Sequence, residues 1–461
     1  MRRLGSYERL LTTILFLAVF LTCGLSPIQS DTWWQLRAGR DMVASGQVLL
    51  TDTYSHTASG AFWSNHEWFA EVVFYAVYSV GGLGLVTVFS AALIAAGWMF
   101  SWAMRQGPSR PAFIVFLCAL VSSSGWWEPR PHAFSLLFIP MTVFLLERGR
   151  VIWLPLVFFI WAQCHGGVLL GLALVAVGLS AGVMIDRRTL LRAAVVLFTC
   201  ALAITATPLG IHFWTEIPRS LSRINQYTLD EWLRPGLTEA VLIPFWLIAA
   251  AYGVALAREA RRLRHMAAGD AALHACALLL LLGALNAVRN VGPFLMLACP
   301  ALTRLLLANS SSGIESPGRE RTLPNLLLQG TAVASVAFIL MTAYRDGWPR
   351  LEWNPVPQAA WAALNECPGN LYNRYDEGGM LLWFAPERKV FLDGRQDPFS
   401  PALVLEHIEM ETGRRDYKAT FARHDIGCAF LPVTSPVAAA LKDSHWMPVH
   451  QSAEWVVLRR P

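Results

Sequence analysis

Asp31, Arg37 and Arg40 occur in S-D-T-W-W-Q-L-R-A-G-R, residues 30–40, directly after the first long apolar run of the chain. Other ionisable residues stand at the ends of further apolar runs: His66 and Glu67 in N-H-E-W, Glu128, Arg130 and His132 in G-W-W-E-P-R-P-H, His165 in W-A-Q-C-H-G-G, Glu231 in D-E-W-L and Arg289 in A-V-R-N-V-G-P. Carboxylates and imidazoles can move protons, and guanidinium groups can hold an anion. At the edge of a membrane domain such groups are functional candidates, because desolvating them is costly. Each also has a structural alternative. Asp31 suits a helix N-cap, the arginines can snorkel from a span end to water, and the histidines beside Pro or Gly can be satisfied turn residues.

What must position these residues is a membrane scaffold. The chain has 461 residues, of which 55% are hydrophobic and only 15% charged, too apolar for a soluble protein of this size. Its 19 tryptophans suit repeated membrane–water boundaries. Residues 10–27 lack a small-x-small cleavage site and read as an uncleaved first span. Further apolar runs cover 83–104, 111–125, 133–147, 151–164, 167–185, 190–206, 238–257, 271–288, 291–307 and 325–343, giving about eleven transmembrane helices. Lys and Arg stay on the cytoplasmic side. Placing Arg2, Arg3 and Arg9 inside puts Arg105/Arg110, Arg148/Arg150, Arg187/Arg188/Arg192, the R-E-A-R-R-L-R-H run from Arg258 and Arg319/Arg321 inside as well. The expected topology is multi-pass in the inner (plasma) membrane, with a cytoplasmic N-terminus and the candidate residues outside.

Residues 1–343 then form the transmembrane domain, with 28–82 as a long first external loop, and 344–461 a small extracytoplasmic α/β domain. In the first loop, Asp31 as N-cap and Gly46 as stop predict a helix. Its tryptophans, Leu36, Met42 and Val43 suit lipid headgroups. N-H-E-W-F-A-E-V-V-F-Y-A-V-Y predicts a surface or partly inserted helix rather than a span. A linker rich in turn formers runs from Asn309. In the last domain N-L-Y-N, K-V-F-L-D-G, C-A-F-L-P-V and W-V-V-L-R-R predict strands, and 357–366 and 403–411 helices. Asp393 and Arg395, in V-F-L-D-G-R-Q-D, follow a strand, where loops of open α/β sheets bind ligands; a turn closed by an Asp–Arg pair is the alternative. N-R-Y-D-E-G-G-M also stands out. Cys367 and Cys428 allow a disulfide outside the cytoplasm, with buried free thiols as the other reading.

D-T-W-W-Q-L-R after the first span resembles the opening of the GT-C superfamily of polyprenyl-phosphate-sugar-dependent glycosyltransferases, and is similar to the D-x-[WY]-[WYF]-x-x-R of oligosaccharyltransferase catalytic subunits. The chain also resembles a bacterial group of GT-C-like membrane proteins through W-x-x-x-H-G-G, R-P-H and D-G-R. The resemblance implies a GT-C-like fold and an inverting transfer of a hexosyl or pentosyl group from a polyprenyl-phosphate donor to an extracytoplasmic glycan, lipid or protein acceptor. No nucleic-acid partner is expected. It implies Asp31 as general base or metal ligand. Arg37, His66, Glu67, Arg130, His165, Arg289, Asp393 and Arg395 are the expected substrate-binding residues, with the Asp393–Arg395 loop serving the acceptor.

Oligosaccharyltransferases use an acidic pair in the second external loop to hold a divalent ion. Here that loop offers Glu128 and His132, which with Asp31 could hold Mn²⁺ or Mg²⁺. Pro129 and Pro131 keep Glu128 and His132 off a common helical face. Arg130 or Arg289 could meet the phosphate without a metal. The W-W-D motif of oligosaccharyltransferases is absent, so transfer to asparagine sequons is not expected. A flippase of lipid-linked glycans and a membrane anchor presenting an external binding domain are the competing classes.

Overall fold

The computed structural model describes residues 6–106, 109–224, 230–259, 266–307, 322–345 and 349–461. Arg2, Arg3, most of the basic run after Arg258 and the linker from Asn309, with Arg319 and Arg321, lie outside the described residues. Contacts divide the chain into two compact units: 1–26, 83–210 and 228–348, then 27–82, 211–227 and 349–461.

The first unit is helical. Its elements are α1 (Tyr7–Gly24), the second part of α3 (Trp68–Ala103), α4 (Ser109–Ser123), α5 (His132–Glu147), α6 (Leu154–Cys164), α7 (Val168–Ile185), α8 (Leu190–Thr205), α10 (Ile243–Arg258), α11 (Ala268–Asn286), α12 (Val291–Leu307) and α13 (Thr322–Arg345). Every apolar window read from the sequence holds one helix. Among the described residues, 8 helical segments are long and apolar enough to cross a membrane. The eight include α4, α8 and α10 taken with the short turns that adjoin them, as Ser109–Trp126, Arg187–Thr205 and Ala240–Arg258; α5 with 16 residues, α6 with 11 and α12 with 17 are not among them.

Polar contacts mark the two ends of this unit. At one, Arg105 pairs with Glu8, Arg192 donates to the Gly149 carbonyl (3.2 Å), and buried Arg304 reaches the Met104 carbonyl (2.8 Å), Glu147 (3.1 Å) and Asp270. At the other, the Cys23 thiol meets the Trp127 carbonyl (3.3 Å), Gln163 Nε2 donates to the Ala206 carbonyl (2.7 Å), and Val288 N–H donates to the Leu233 carbonyl (2.8 Å). The 18 residues of α1 carry the chain from the first end to the second, about 27 Å at 1.5 Å per residue.

The N-H-E-W-F segment leads into a helix of its own, as expected: α3 consists of two helices joined at a kink, the first from Trp68 and the second over the apolar run from residue 83. Only Gly81 (φ −145°, ψ 20°) and Gly82 (φ 61°, ψ −161°) leave helical geometry inside it. The Gly82 conformation is open to glycine and strained for other residues, and the glycine pair falls where the expected first loop, 28–82, meets the span read from residue 83.

The second unit joins the first loop to the C-terminal segment. It contains α2 (Ser30–Ser45), the start of α3, α9 (Phe213–Ile224), and α14 (Gln358–Glu366), α15 (Tyr375–Phe384), α16 (Pro401–Glu411), α17 (Lys418–Arg423) and α18 (Pro436–Asp443). These accompany a four-stranded sheet of β1 (Asn370–Asn373), β2 (Ile426–Pro432), β3 (Met447–Gln451) and β4 (Trp455–Arg459), ordered β1-β2-β4-β3, with β1 parallel to β2 and the other pairs antiparallel.

Helix α2 ends where Gly46 takes φ 67°, as expected, but begins two residues early. Gln29 is its N-cap and Asp31 lies in the first turn. The tryptophans are not laid on headgroups: Trp33, Trp34, Leu36 and Met42 are buried within the unit, and only Val43 is exposed. Trp33 packs on Phe384 (4.8 Å between ring centroids) and Trp383 (6.0 Å), at the end of α15. A buried tryptophan removes roughly 150–250 Å² from water, which at about 25 cal/mol per Å² outweighs an exposed ion pair. An amphipathic face has the same pattern whether lipid or protein covers it.

The K-V-F-L-D-G strand is also replaced. Its backbone is satisfied by the first loop, with His56 N–H donating to the Val390 carbonyl and Val390 N–H to the Tyr54 carbonyl, both at 3.1 Å. The Asn373 side chain takes Phe391 N–H (2.8 Å) and donates to the Leu392 carbonyl (2.8 Å). A side-chain amide and a foreign loop thus stand where a neighbouring strand was expected.

Cys367 and Cys428 are bonded, with Cα atoms 5.8 Å apart and a sequence separation of 61. Closing a loop of that size stabilises a fold by about 2–4 kcal/mol. Cys428→Ser, or reduction of the parent, should therefore lower the thermal midpoint of the detergent-solubilised protein in scanning fluorimetry. An unmoved midpoint would mean that packing alone already closes the loop.

Candidate functional site

Asp31 is held from two sides. On its own helix, Trp34 Nε1 donates to Asp31 Oδ1 at 3.0 Å, a pairing that the i, i+3 spacing of a first turn allows. From the C-terminal segment, Gly394 of the D-G-R turn lies so close that a side chain there would overlap Oδ1 and stand 3.2 Å from Trp34 Nε1. The helix N-terminus adds a favourable dipole to the carboxylate.

The D-G-R turn is fixed by a buried ion triad. Arg395 Nε donates to Asp393 Oδ1 (2.8 Å) and its Nη2 to Asp393 Oδ2 (2.7 Å) and Asp52 (2.6 Å), with all three side chains at 0% exposure. Trp63 and Tyr54 face the guanidinium at 4.8 and 5.0 Å. Burial opposes its charge, but Asp393 and Asp52 outweigh that and hold its pKa above the ordinary arginine value. Asp52 in turn accepts from Ser55 Oγ (2.6 Å) and two backbone N–H groups, which makes it the cap of a loop turn.

The N-R-Y-D-E-G-G-M motif completes this cluster. Tyr375 donates its hydroxyl proton to the Gly394 carbonyl (3.2 Å) and accepts from Gln396 Nε2 (2.6 Å). Burial, then the Asp31 charge, push its phenol well above the ordinary range, so it stays a donor. Gly379 N–H donates to Ser30 Oγ (3.1 Å), and a side chain at Gly378 would strike Asp393. Three motifs far apart in sequence are therefore one packed cluster.

The remaining first-loop candidates lie on α2 and in the turn just before α3. Arg37 pairs with Asp41 (2.7 Å) and donates to the Leu382 carbonyl at the end of α15 (2.9 Å). Glu67 accepts from Gln35 Nε2 (3.1 Å), and His66 lies 3.8 Å from Glu67 and 3.1 Å from the Ser64 carbonyl.

In the first unit, three connections bring charges together. Arg289 Nη1 donates to Glu231 Oε1 (2.9 Å) and stacks over Trp232 (4.5 Å), while Arg130 lies 3.7 Å from Glu231 and 3.5 Å from Glu128. The Pro129/Pro131 turn, which keeps Glu128 and His132 off one helix, still brings them to 3.9 Å. His165 is placed by its own turn: Gly167 N–H donates to Nδ1 (3.0 Å), which puts the neutral ring's proton on Nε2, and Ser135 Oγ is 2.8 Å from Nδ1.

Among the described residues no group of three or more His, Cys, Asp or Glu side chains is arranged to hold a metal. His132 Nε2 is engaged by the Trp126 carbonyl (2.7 Å), which withholds that nitrogen from an ion. The sequence reading passed over Tyr375, Gly394, Trp34 and Asp52. Asp52 had a signal in D-T-Y-S, an aspartate three residues before a serine, and Trp34 had its i, i+3 spacing from Asp31; the contacts of Tyr375 and Gly394 depend on chain folding.

No protein-family model matches the chain, and no curated protein matches it in sequence. Solved structures do. The archaeal oligosaccharyltransferase AglB from Archaeoglobus fulgidus, in complex with an inhibitory peptide and a dolichol-phosphate, has a TM-score of 0.59 at 11% identity over 93% of this chain and 69% of that one. ArnT from Cupriavidus metallidurans, bound to undecaprenyl phosphate, has a TM-score of 0.52 at 14% identity over 97% of both chains. The arabinofuranosyltransferase AftD from Mycobacteria has a TM-score of 0.55 at 14% identity over all of this chain, which spans 40% of its length. At such identities these likenesses establish architecture: the chain is a polytopic helical membrane protein with a small C-terminal α/β region and the GT-C-like fold of these transferases.

Proposed function

We propose that the protein is an inverting glycosyltransferase that moves a sugar from a polyprenyl-phosphate donor to an extracytoplasmic acceptor, with Asp31 as general base. The observation that carries this reading is the fixed Asp31 carboxylate, oriented by Trp34 and walled by Gly394, in a fold shared with proteins solved with dolichol-phosphate and undecaprenyl phosphate. Asp31 takes the proton of an acceptor hydroxyl as its oxygen bonds to the anomeric carbon. The bond from that carbon to the phosphate oxygen breaks on the opposite face and polyprenyl phosphate leaves. Arg130 and Arg289 neutralise that phosphate. His165, with its proton on Nε2, orients the acceptor, and His66 and Glu67 bind the sugar.

We read all eleven apolar helices as spans. α5, α6 and α12 support this despite their length, since α5 runs from His132 to the Arg304–Glu147 pair, α6 from beside Gly149 to Gln163, and α12 from beside Arg289 to Arg304. The Cys367–Cys428 bond supports an extracytoplasmic second unit. A reporter fused after Tyr344 should lie outside and one within 309–323 inside; finding both on one side overturns the topology.

The test of function incubates the purified protein with undecaprenyl-phosphate-linked hexoses and pentoses and follows release of undecaprenyl phosphate and sugar transfer. Transfer to an acceptor supports the proposal. Movement of the intact lipid-linked glycan across vesicles without bond cleavage would favour a flippase. Transfer is expected to survive exhaustive chelation, because two arginines supply the positive charge; complete loss rescued by one divalent ion would overturn that expectation.

A further inference from the structure

We infer that the C-terminal D-G-R turn is a positioning element for the Asp31 carboxylate, with Gly394 as the surface on which Oδ1 rests; this rests on the reading of Asp31 as the base. Four observations converge. A side chain at Gly394 would overlap Asp31 Oδ1 and crowd Trp34 Nε1, the donor to that same oxygen. The Gly394 carbonyl is tied by Tyr375, whose hydroxyl is itself held by Gln396. Of the residues on either side of Gly394, Arg395 is locked at full burial both to Asp393 and to Asp52. Finally, Gly379 N–H holds Ser30, the residue before Asp31.

Backbone strain does not explain the glycine. Gly394 is not among the residues with positive φ, so alanine is conformationally acceptable there. What alanine meets is the far end of a flexible side chain, which can swing aside at little cost to the fold. Gly394→Ala therefore separates geometry from stability: the carboxylate moves, and the unit stays folded.

Tyr375 supports the turn from a rigid base. Its N–H donates to His407 Nε2 (3.3 Å), His407 Nδ1 is 3.1 Å from the Tyr372 hydroxyl, and Tyr372 donates to Glu411 (2.9 Å). Burial holds His407 down at about 3, so this ring stays neutral and the chain keeps its polarity at ordinary pH. The sequence distance from Asp31 to Gly394 is bridged by a network with a defined partner at each step.

The experiment uses the full-length protein in detergent and the undecaprenyl-phosphate-linked sugar that supports transfer. Displacing a reacting group by about 1 Å costs on the order of 100-fold, so Gly394→Ala should lower kcat by roughly that factor with the donor KM and thermal midpoint nearly unchanged. The displaced carboxylate also loses the Trp34 donor. A hydrogen bond to the charged form lowers a carboxyl pKa, so its loss raises it and moves the acid limb of the pH–rate profile to higher pH. Tyr375→Phe, which releases the Gly394 carbonyl, should show a smaller change in the same directions. In an Asp31→Asn background, Gly394→Ala should add no further loss. If Asp31→Asn is inactive while Gly394→Ala keeps the parental kcat and pH profile, the positioning role is overturned and the base assignment stands. If Asp31→Asn retains full activity, both fall. Should Gly394→Ala fail to fold, the kcat of Tyr375→Phe decides, and a parental value overturns the proposal.

Discussion

Asp31→Asn is expected to lower sugar transfer by about 10²–10⁴-fold, the usual contribution of a general base, while the protein accumulates in the membrane and unfolds at the parental temperature. The amide has the same shape as the carboxylate. Its oxygen can still accept from Trp34 Nε1 at the 3.0 Å seen for Oδ1, and it occupies the same space against Gly394. What it lacks is the charge and basicity needed to receive the acceptor proton. Asp31→Glu is the complementary variant: it keeps the charge, yet its extra methylene has no room beside Gly394, so a large loss is expected there too. Transfer at near-parental rate by Asp31→Asn would reduce Asp31 to a structural link between α2 and the D-G-R turn.

The helices of the first unit were legible because apolar length alone announces them. The same is true of β1, β2 and β4, α14 and α16, where alternation or amphipathic spacing is local. Trp33 and Trp34 show where locality ends. Both were recognisable as one apolar face, but the pattern does not name what covers it, and the answer, Trp383, Phe384 and Trp63, lies up to hundreds of residues away. K-V-F-L-D-G failed as a strand for a similar reason, since Asn373 and the 54–56 loop satisfy its backbone instead of a neighbouring strand.

The candidate site divides along the same line. Asp31, Asp393 and Arg395 were visible as motif residues. The Asp393–Arg395 pair was also foreseeable as a turn closure, and its complete burial fits the positioning role proposed for the turn. That Gly394 touches Asp31, and that Asp52 is the third member of the ion cluster, are products of the tertiary fold. Arg130 and Arg289 were named separately; Glu231, 58 residues before Arg289, is what joins them.

Removing the cation from the buried triad should have the largest effect on stability. In Arg395→Met the carboxylates of Asp52 and Asp393 remain, both at 0% exposure, each having lost the guanidinium that compensated its desolvation. Breaking a buried pair in this way costs about 3–5 kcal/mol, a large share of the 5–15 kcal/mol that holds a typical domain together. Tyr54 and Trp63 would pack on the methionine but could not neutralise the charges. The expected result is a thermal midpoint many degrees below the parent and poor accumulation in membranes. A triple variant, Arg395→Met with Asp52→Asn and Asp393→Asn, should recover much of the loss, because no charge is then left buried. The amide oxygen introduced by Asp393→Asn can also still accept the backbone N–H bond that Arg395 donates to Asp393 Oδ1 at 3.0 Å in the parent, since that donor does not depend on the side chain. Recovery in the triple variant with loss in the single one identifies uncompensated charge as the cause. An Arg395→Met protein as stable as the parent would show that the two carboxylates can protonate or rehydrate at little cost, and the ion triad would then lose its role as the lock on the D-G-R turn.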